Sequence, residues 1–209
     1  YQKSLVPLSL QNRINVIHDG IDTNTLKPKK DISIVIKGKK FTKKDKIISY
    51  VSRSLDPYRG FHVFMESLPN ILKENPDSYV FILGNKDHHG YGAPSPKGSY
   101  KDIFYSSIKS DIDQTRVYFL DTLEYASYIK IIQITSAHIY LTYPFVLSWS
   151  LLEAMSCEAL IIGSNTDPVK EVIKDNTNGL LVDFFDTKSI ANNINRCIYN
   201  KKTLLNSII

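Results

Sequence analysis

The chain has 209 residues, 43% of them hydrophobic and 22% charged, a globular balance that excludes a wholly disordered, collagenous or fibrous chain. No apolar run approaches the roughly 20 residues of a bilayer span, no secretory signal is visible at the start, and the two cysteines, Cys157 and Cys197, are too few for a disulfide scaffold and read as reduced thiols of a cytosolic protein. The net charge of +5 is unevenly held: residues 1–50 carry 11 Lys and Arg against 4 Asp and Glu, the remainder 15 against 17, and no stretch interleaves aromatics with arginine as a nucleic-acid reader does.

Residues 1–14 show no clear period and are expected to be a remnant of a linker or a preceding domain. Residues 15–22 (NVIHDGID) predict a short apolar strand ending in a glycine turn, followed by a linker through Pro28. Residues 32–36 predict a strand and 38–46 a polar hairpin or loop. The lysine run over 37–46 (KGKKFTKKDK) fits either a solvated loop or a patch facing anionic lipid. Residues 46–52 (KIISYVS) are β-rich and mostly apolar, a buried strand. Over 60–74 the apolar residues Phe61, Phe64, Met65, Leu68, Ile71 and Leu72 recur at spacings of three and four, which predicts an amphipathic helix stopped by Asn75, Pro76 and Asp77.

A second buried strand follows over 79–83, then a Gly-, Pro- and His-rich loop over 85–99, a length more often functional than filler. His88 and His89 in that loop lack the partner spacing of a metal site. Helix, strand, helix and strand are predicted over 100–112, 116–120, 124–134 and 138–142, with His138 packed rather than catalytic. A helix begins at Ser150, a strand covers 159–163, a short helix 168–173, a strand 179–182 and a closing helix 186–200.

Strand and helix thus alternate, and the strands are apolar throughout, as when both sheet faces are covered. The expected fold is α/β: a Rossmann-like, doubly wound parallel sheet with right-handed crossovers, over residues 15–200, with 201–209 a C-terminal tail. No GxGxxG follows the first strand and no GxxxxGK[ST] occurs, which argues against a dinucleotide dehydrogenase and a P-loop NTPase. No GxSxG occurs either, and Cys157 has no His partner by pattern.

Ligands of such sheets sit beyond the carboxyl ends of the strands. After the strand at 46–52 come Arg53, Asp56, Arg59 and Gly60. Two arginines on a loop entering a helix suit a diphosphate, because each offers a fork of donors and the helix start adds partial positive charge. The same pair also fits ordinary surface arginines paired with Asp56. After the strand at 138–142, residues 143–150 lead into a helix and carry the only tryptophan, Trp149. Glu153 lies one turn in. It fits either a capping box with Ser150 or a carboxylate accepting two ribose hydroxyls. A polar loop after 159–163 enters the short helix that bears Glu171.

These pieces together resemble the C-terminal, donor-binding domain of GT-B glycosyltransferases of family GT4 (glycosyl transferases group 1). The resemblance rests on NVIHDGIDTNTLKP at 15–28, SRSLDPYRG at 52–60, VYFLD at 117–121, LEAMSC at 152–157, VKE at 169–171 and TNGLLV at 177–182, in the family's order and spacing. It implies one half of a GT-B fold and transfer of a sugar from a nucleoside-diphosphate sugar, with retention, with no cofactor and no metal. By matched position it implies that Arg53 and Arg59 hold the donor's diphosphate, Arg59 standing where the family has Lys. Glu153 would bind the ribose, Asp121, Thr122 and Leu123 would lie by the base, and Leu147, Ser148 and Trp149 would approach the sugar and phosphate through backbone amides.

Three departures stand out: Phe145 replaces the first Glu of the family's E-x7-E pair, which contacts the transferred sugar, and Ser52 and Asp121 replace glycines. A phenyl ring accepts no sugar hydroxyl, so sugar recognition differs or the transferase is degenerate. The implied partners are a nucleotide sugar, a glycan or lipid-linked acceptor held by an N-terminal domain, and a peripheral contact at the inner membrane face, with no nucleic acid. The expectation for this piece alone is weak donor binding without turnover. A non-catalytic nucleotide-sugar-binding or scaffold module and a nucleotide-sugar epimerase of GT-B type are the alternatives.

Overall fold

The computed structural model describes residues 2–86, 90, 92–143 and 147–199, so His88, His89, Phe145 and the tail 201–209 lie outside the described residues. A short helix α1 (Leu8–Gln11) and an antiparallel hairpin of β1 (Ser33–Ile36) and β2 (Lys39–Thr42) precede the main sheet. The sheet then forms from β3 (Lys46–Ser54), β4 (Ser78–Asn85), β5 (Val117–Phe119), β6 (Ala137–Tyr140), β7 (Leu160–Ser164) and β8 (Leu180–Val182). All five pairings are parallel, in the order β5-β4-β3-β6-β7-β8. The connecting helices are α2 (Phe61–Glu74), α3 (Tyr100–Ile108), α4 (Tyr125–Ile134), α5 (Trp149–Ser156), α6 (Asp167–Lys170) and α7 (Thr187–Tyr199).

The strands are apolar at successive positions because each face meets its own helical layer. Ile48, Tyr50, Val80, Ile82, Ile139 and Ile162 face α2 and α7, whose Phe64, Leu68, Ile190 and Ile194 are fully buried. On the other face Ile47, Phe81 and Leu83 meet α4 and the hairpin, while Tyr140 and Ile161 meet α5 and Val169 of α6. Phe41 of the hairpin inserts edge-on against Phe81 and Tyr118, with ring centroids 5.0 and 5.5 Å away. The hairpin predicted only as polar therefore seals one end of the core. The doubly wound expectation holds. The chain lays β4 and β5 on one side of β3, then returns to lay β6 on the other. That reversal opens a crevice above the carboxyl ends of β3 and β6.

Residues 15–22 form no strand. Both edges of the sheet lie elsewhere, so the segment has no ladder to join, and Val16 and Ile17 are 56% and 88% exposed despite being apolar. It runs instead as an extended strap past the carboxyl edge. The helix predicted over 100–112 stops at Ile108, and the one over 168–173 shrinks to one turn ending at Lys170. Arg116, just before β5, donates to the carbonyls of Leu72 and Asn75 at 3.1 and 2.9 Å, closing the carboxyl end of α2.

His138 is wholly buried in β6; its Nδ1 lies 2.8 Å from the Ser49 hydroxyl, which also accepts from Thr135. Burial pushes its pKa down to about 4 from 6.5. Between those values the unfolded imidazole binds a proton that the buried one refuses. Stability is therefore whole above pH 6.5 and falls as the pH drops toward 4, by about 3 kcal/mol across the window. Urea unfolding of wild type and His138→Leu across this range checks it: the substitution flattens the acid slope by about one proton, and an unchanged slope rejects His138 as its source.

Candidate functional site

The loop after β3 is built by local hydrogen bonding. Asp56, extended and 3% exposed, accepts from the Arg59 amide at 3.1 Å and from the Ser54 hydroxyl, and Pro57 starts the short turn that this side chain caps. Gly60 closes the turn in the left-handed region, φ +68°, and opens α2. A Cβ there would stand 2.4 Å from the Leu141 Cβ, so only glycine lets the turn approach β6 this closely. The Tyr143 amide then donates to the Tyr58 carbonyl at 2.7 Å, joining the loops that follow β3 and β6.

The turn delivers Arg59 across the crevice. Its Nη1 donates to the Thr142 hydroxyl at 3.1 Å, while Asp56 bonds its backbone rather than its guanidinium. Thr142 is itself fixed: its amide and carbonyl both pair with the buried Ser164 hydroxyl of β7 at 3.1 Å. The Arg59 guanidinium also lies by the Tyr140 hydroxyl, where its charge works against burial that raises the phenol pKa. Tyr140 accepts from the Ser148 amide at 2.7 Å. Arg59, Thr142, Tyr140 and the start of α5 thus form one connected group at the switch point. Cation and helix start share it, an anion-binding arrangement.

Of the two readings open for Glu153, the capping box with Ser150 is not formed. Ser148 is the N-cap residue, two positions earlier, and its hydroxyl accepts from the Ser150 amide at 3.4 Å. Glu153, 6% exposed, turns toward α4 and accepts from the hydroxyls of Tyr125 and Tyr128 at 2.9 and 2.5 Å. Burial and this carboxylate push the Tyr125 phenol up to about 12 and raise Tyr128 further, so both stay protonated donors.

Arg53 sits exposed near the end of β3, on the same edge as Arg59. Asp121, Thr122 and Leu123 follow β5, two strands from β3; Asp121 stands in the left-handed region, φ +44°, with Lys101 at 3.9 Å from its carboxylate. Leu147, Ser148 and Trp149 form the turn into α5, and Trp149 is 61% exposed. All these predicted residues therefore lie at the carboxyl edge, except Phe145, which is outside the described residues. Sequence reasoning missed Tyr140, Thr142, Tyr125 and Tyr128. Only the last pair left a signal, two tyrosines three apart on one helix face. Among the described residues no group of three or more His, Cys, Asp or Glu side chains assembles as a metal centre, and no helix is long and apolar enough to cross a membrane.

A family model described as glycosyl transferases group 1 matches residues 31–208. A comparison with curated proteins finds no match. Among solved structures, the C-terminal domain of a glycosyl transferase group 1 family protein (LpcC) from Francisella tularensis is similar at TM-score 0.70 and 18% identity, over 88% of this chain and 91% of that one. TarM is similar at TM-score 0.64 and 17% identity, over 78% of this chain and 30% of its own. HepE from Anabaena, in complex with UDP and glucose, is similar at TM-score 0.59 and 18% identity, over 76% of this chain and 40% of its own. The chain therefore spans less than half of TarM and of HepE. At these identities the likeness establishes the fold.

Tyr140→Phe removes the acceptor of the Ser148 amide without changing the packing. Chemical denaturation should report a loss of about 0.5–1.5 kcal/mol, the net worth of a hydrogen bond to a half-buried donor. Unchanged stability would remove Tyr140 as the link between Arg59 and α5.

Proposed function

Because the chain belongs to the glycosyl transferases group 1 family, we propose that it is the donor-binding half of a glycosyltransferase. The reaction moves a hexosyl group from a nucleoside-diphosphate sugar to an acceptor, with retention at the anomeric carbon and with no divalent metal required. The observation that carries this reading is the Arg59 guanidinium fixed beside the start of α5 at the switch point. As the bond from anomeric carbon to phosphate breaks, negative charge grows on the departing diphosphate. A preorganised cation and helix-start amides stabilise that charge more than they stabilise the intact donor, which is the condition for catalysis. Arg53, on the same edge, supplies the second cation.

Glu153 takes the ribose hydroxyls. An ionised carboxylate offers about four acceptor positions, and Tyr125 and Tyr128 take two of them. Tyr128 holds Oε2 in place; Tyr125, 55% exposed, yields its place at Oε1 to a ribose hydroxyl. Asp121, Thr122 and Leu123 lie by the base, and the amides of Leu147, Ser148 and Trp149 meet sugar and phosphate. A glycan or lipid-linked acceptor is held by a domain outside this chain, which alone binds donor without turnover. The protein works in the cytoplasm, and the exposed Lys40 of the hairpin, with Lys43 and Lys44 in the turn that follows it, supports a peripheral contact with an anionic leaflet.

Phe145, in place of a sugar-binding carboxylate, favours a second reading: a non-catalytic binder of nucleotide sugars. Sugar transfer by the protein that carries this chain rejects that reading.

A thermal-shift screen with UDP, GDP, ADP and their sugars tests the donor site. One base family should raise Tm, because a ligand that binds only the folded state stabilises it by mass action. Arg59→Ala should weaken that ligand at least tenfold by losing a charge-assisted contact. No shift with any of them overturns the assignment. Co-sedimentation with phosphatidylserine vesicles checks the membrane contact: binding at low salt should fall with Lys40→Glu, Lys43→Glu and Lys44→Glu combined, and absence of binding rejects it.

A further inference from the structure

Asp121 holds a backbone conformation that its side chain makes costly. Its φ is +44°, in the left-handed region where glycine is the default residue. Strain of this kind persists only where the surroundings impose it, and it gathers at ligand sites. The Gly84 amide donates to the Asp121 carbonyl at 3.3 Å, which ties the residue to the end of β4. The carboxylate is 61% exposed and accepts no hydrogen bond among the described residues. Its ion-pair contact is Lys101, whose Nζ stands 3.9 Å from Oδ1, too far for a hydrogen bond. Lys101 lies in the first turn of α3, fixed by Ser99, which accepts from the Asp102 amide at 3.1 Å. Its side chain is only 19% exposed, with the ammonium 4.5 Å from the centre of the Phe119 ring in β5. Among the described residues this covered ammonium makes no hydrogen bond, so its three donors are open to a ligand.

The pair thus offers one donor beside the two acceptors of a carboxylate. Along its pairing edge guanine offers the complement: the O6 acceptor, then the N1–H and N2–H donors. Uracil runs acceptor, donor, acceptor. Adenine offers a donor and an acceptor, and cytosine repeats the protein's own order of donor, acceptor, acceptor. We propose that Lys101 donates to O6 and that the Asp121 carboxylate accepts from N1–H and N2–H of a guanine, so that the donor sugar is carried on guanosine diphosphate. The inference rests on the donor-site reading and deepens it by naming the nucleotide. The place suits a base: four residues on from Asp121, Tyr125 touches Glu153, the carboxylate given to the ribose. Two bonds that run side by side to O6 and N1 need their protein ends apart, as Nζ and Oδ1 are at 3.9 Å. All three bonds are charge-assisted. A uracil would set a carbonyl oxygen against the carboxylate, so the site rejects it by repulsion as well as by missing bonds.

Calorimetric titration of the 209-residue chain with GDP, inosine diphosphate, UDP, ADP and CDP tests the assignment. GDP should bind more tightly than UDP, ADP or CDP by about tenfold or more. Inosine diphosphate, which lacks only the 2-amino group, should fall about tenfold below GDP. That comparison needs no variant, so it decides even where a substitution disturbs the fold. Asp121→Gly relaxes the backbone and Lys101→Met keeps an apolar stem on Phe119; circular dichroism checks that both fold. Each should lower the ratio of GDP to UDP affinity about tenfold. Arg59→Ala should instead weaken every nucleotide alike and leave that ratio within about twofold. Tighter binding of another base, still weakened by Arg59→Ala, overturns the guanine assignment and leaves the donor site standing. A GDP preference that survives both Asp121→Gly and Lys101→Met overturns it too. If no nucleotide binds, the donor-site reading falls and this inference falls with it.

Discussion

The carboxyl edge depends on β3 and β6 lying side by side, although β4, β5 and three helices intervene in the chain. Only a chain that builds outward from β3 and then returns can make this contact, and the return leaves two loops diverging above adjacent strands. The loops do not drift apart because their backbones are joined, Tyr143 to Tyr58 at 2.7 Å, and because Gly60 brings the β3 loop down onto Leu141. Side-chain placement follows from that backbone placement. Arg59 reaches Thr142 and Tyr140 because the turn that carries it has nowhere else to sit.

A sheet covered on both faces needs few polar side chains inside, and hydrogen bonds link several of those present, His138 through its Nδ1 alone. Ser49, Thr135 and His138 bond one another between β3, β6 and the end of α4. Ser164 serves both backbone groups of Thr142. These bonds add little net stability, but each avoids the larger cost of a buried group left without a partner. The first group ties β3 to the start of β6, and Ser164 ties β7 to the carboxyl end of β6, where ligands approach.

What could be read from the sequence followed the range of the interaction. The helix α2 and the strands β3 and β4 were legible because periodicity and apolar runs are local, and the six ordered motifs carried the family. The strap at 15–22 was misread because Val16 and Ile17 look like strand residues and nothing local says that no strand is free to pair with them. At α5 two serines compete for the cap. Ser150 with Glu153 fits the pattern better, but Glu153 is drawn away by two tyrosines on another helix. Tyr140 and Thr142 were invisible as site residues because their roles exist only once β3 and β6 meet.

The Arg116 clasp on α2 has a kinetic side. The last turn of that helix receives donors from a residue at the threshold of β5, an edge strand of only three residues. When the edge detaches, the helix loses its terminus with it. Fraying at one border of the sheet is thereby wired to unwinding beneath its centre, and the two open as a single cooperative unit instead of two independent ones.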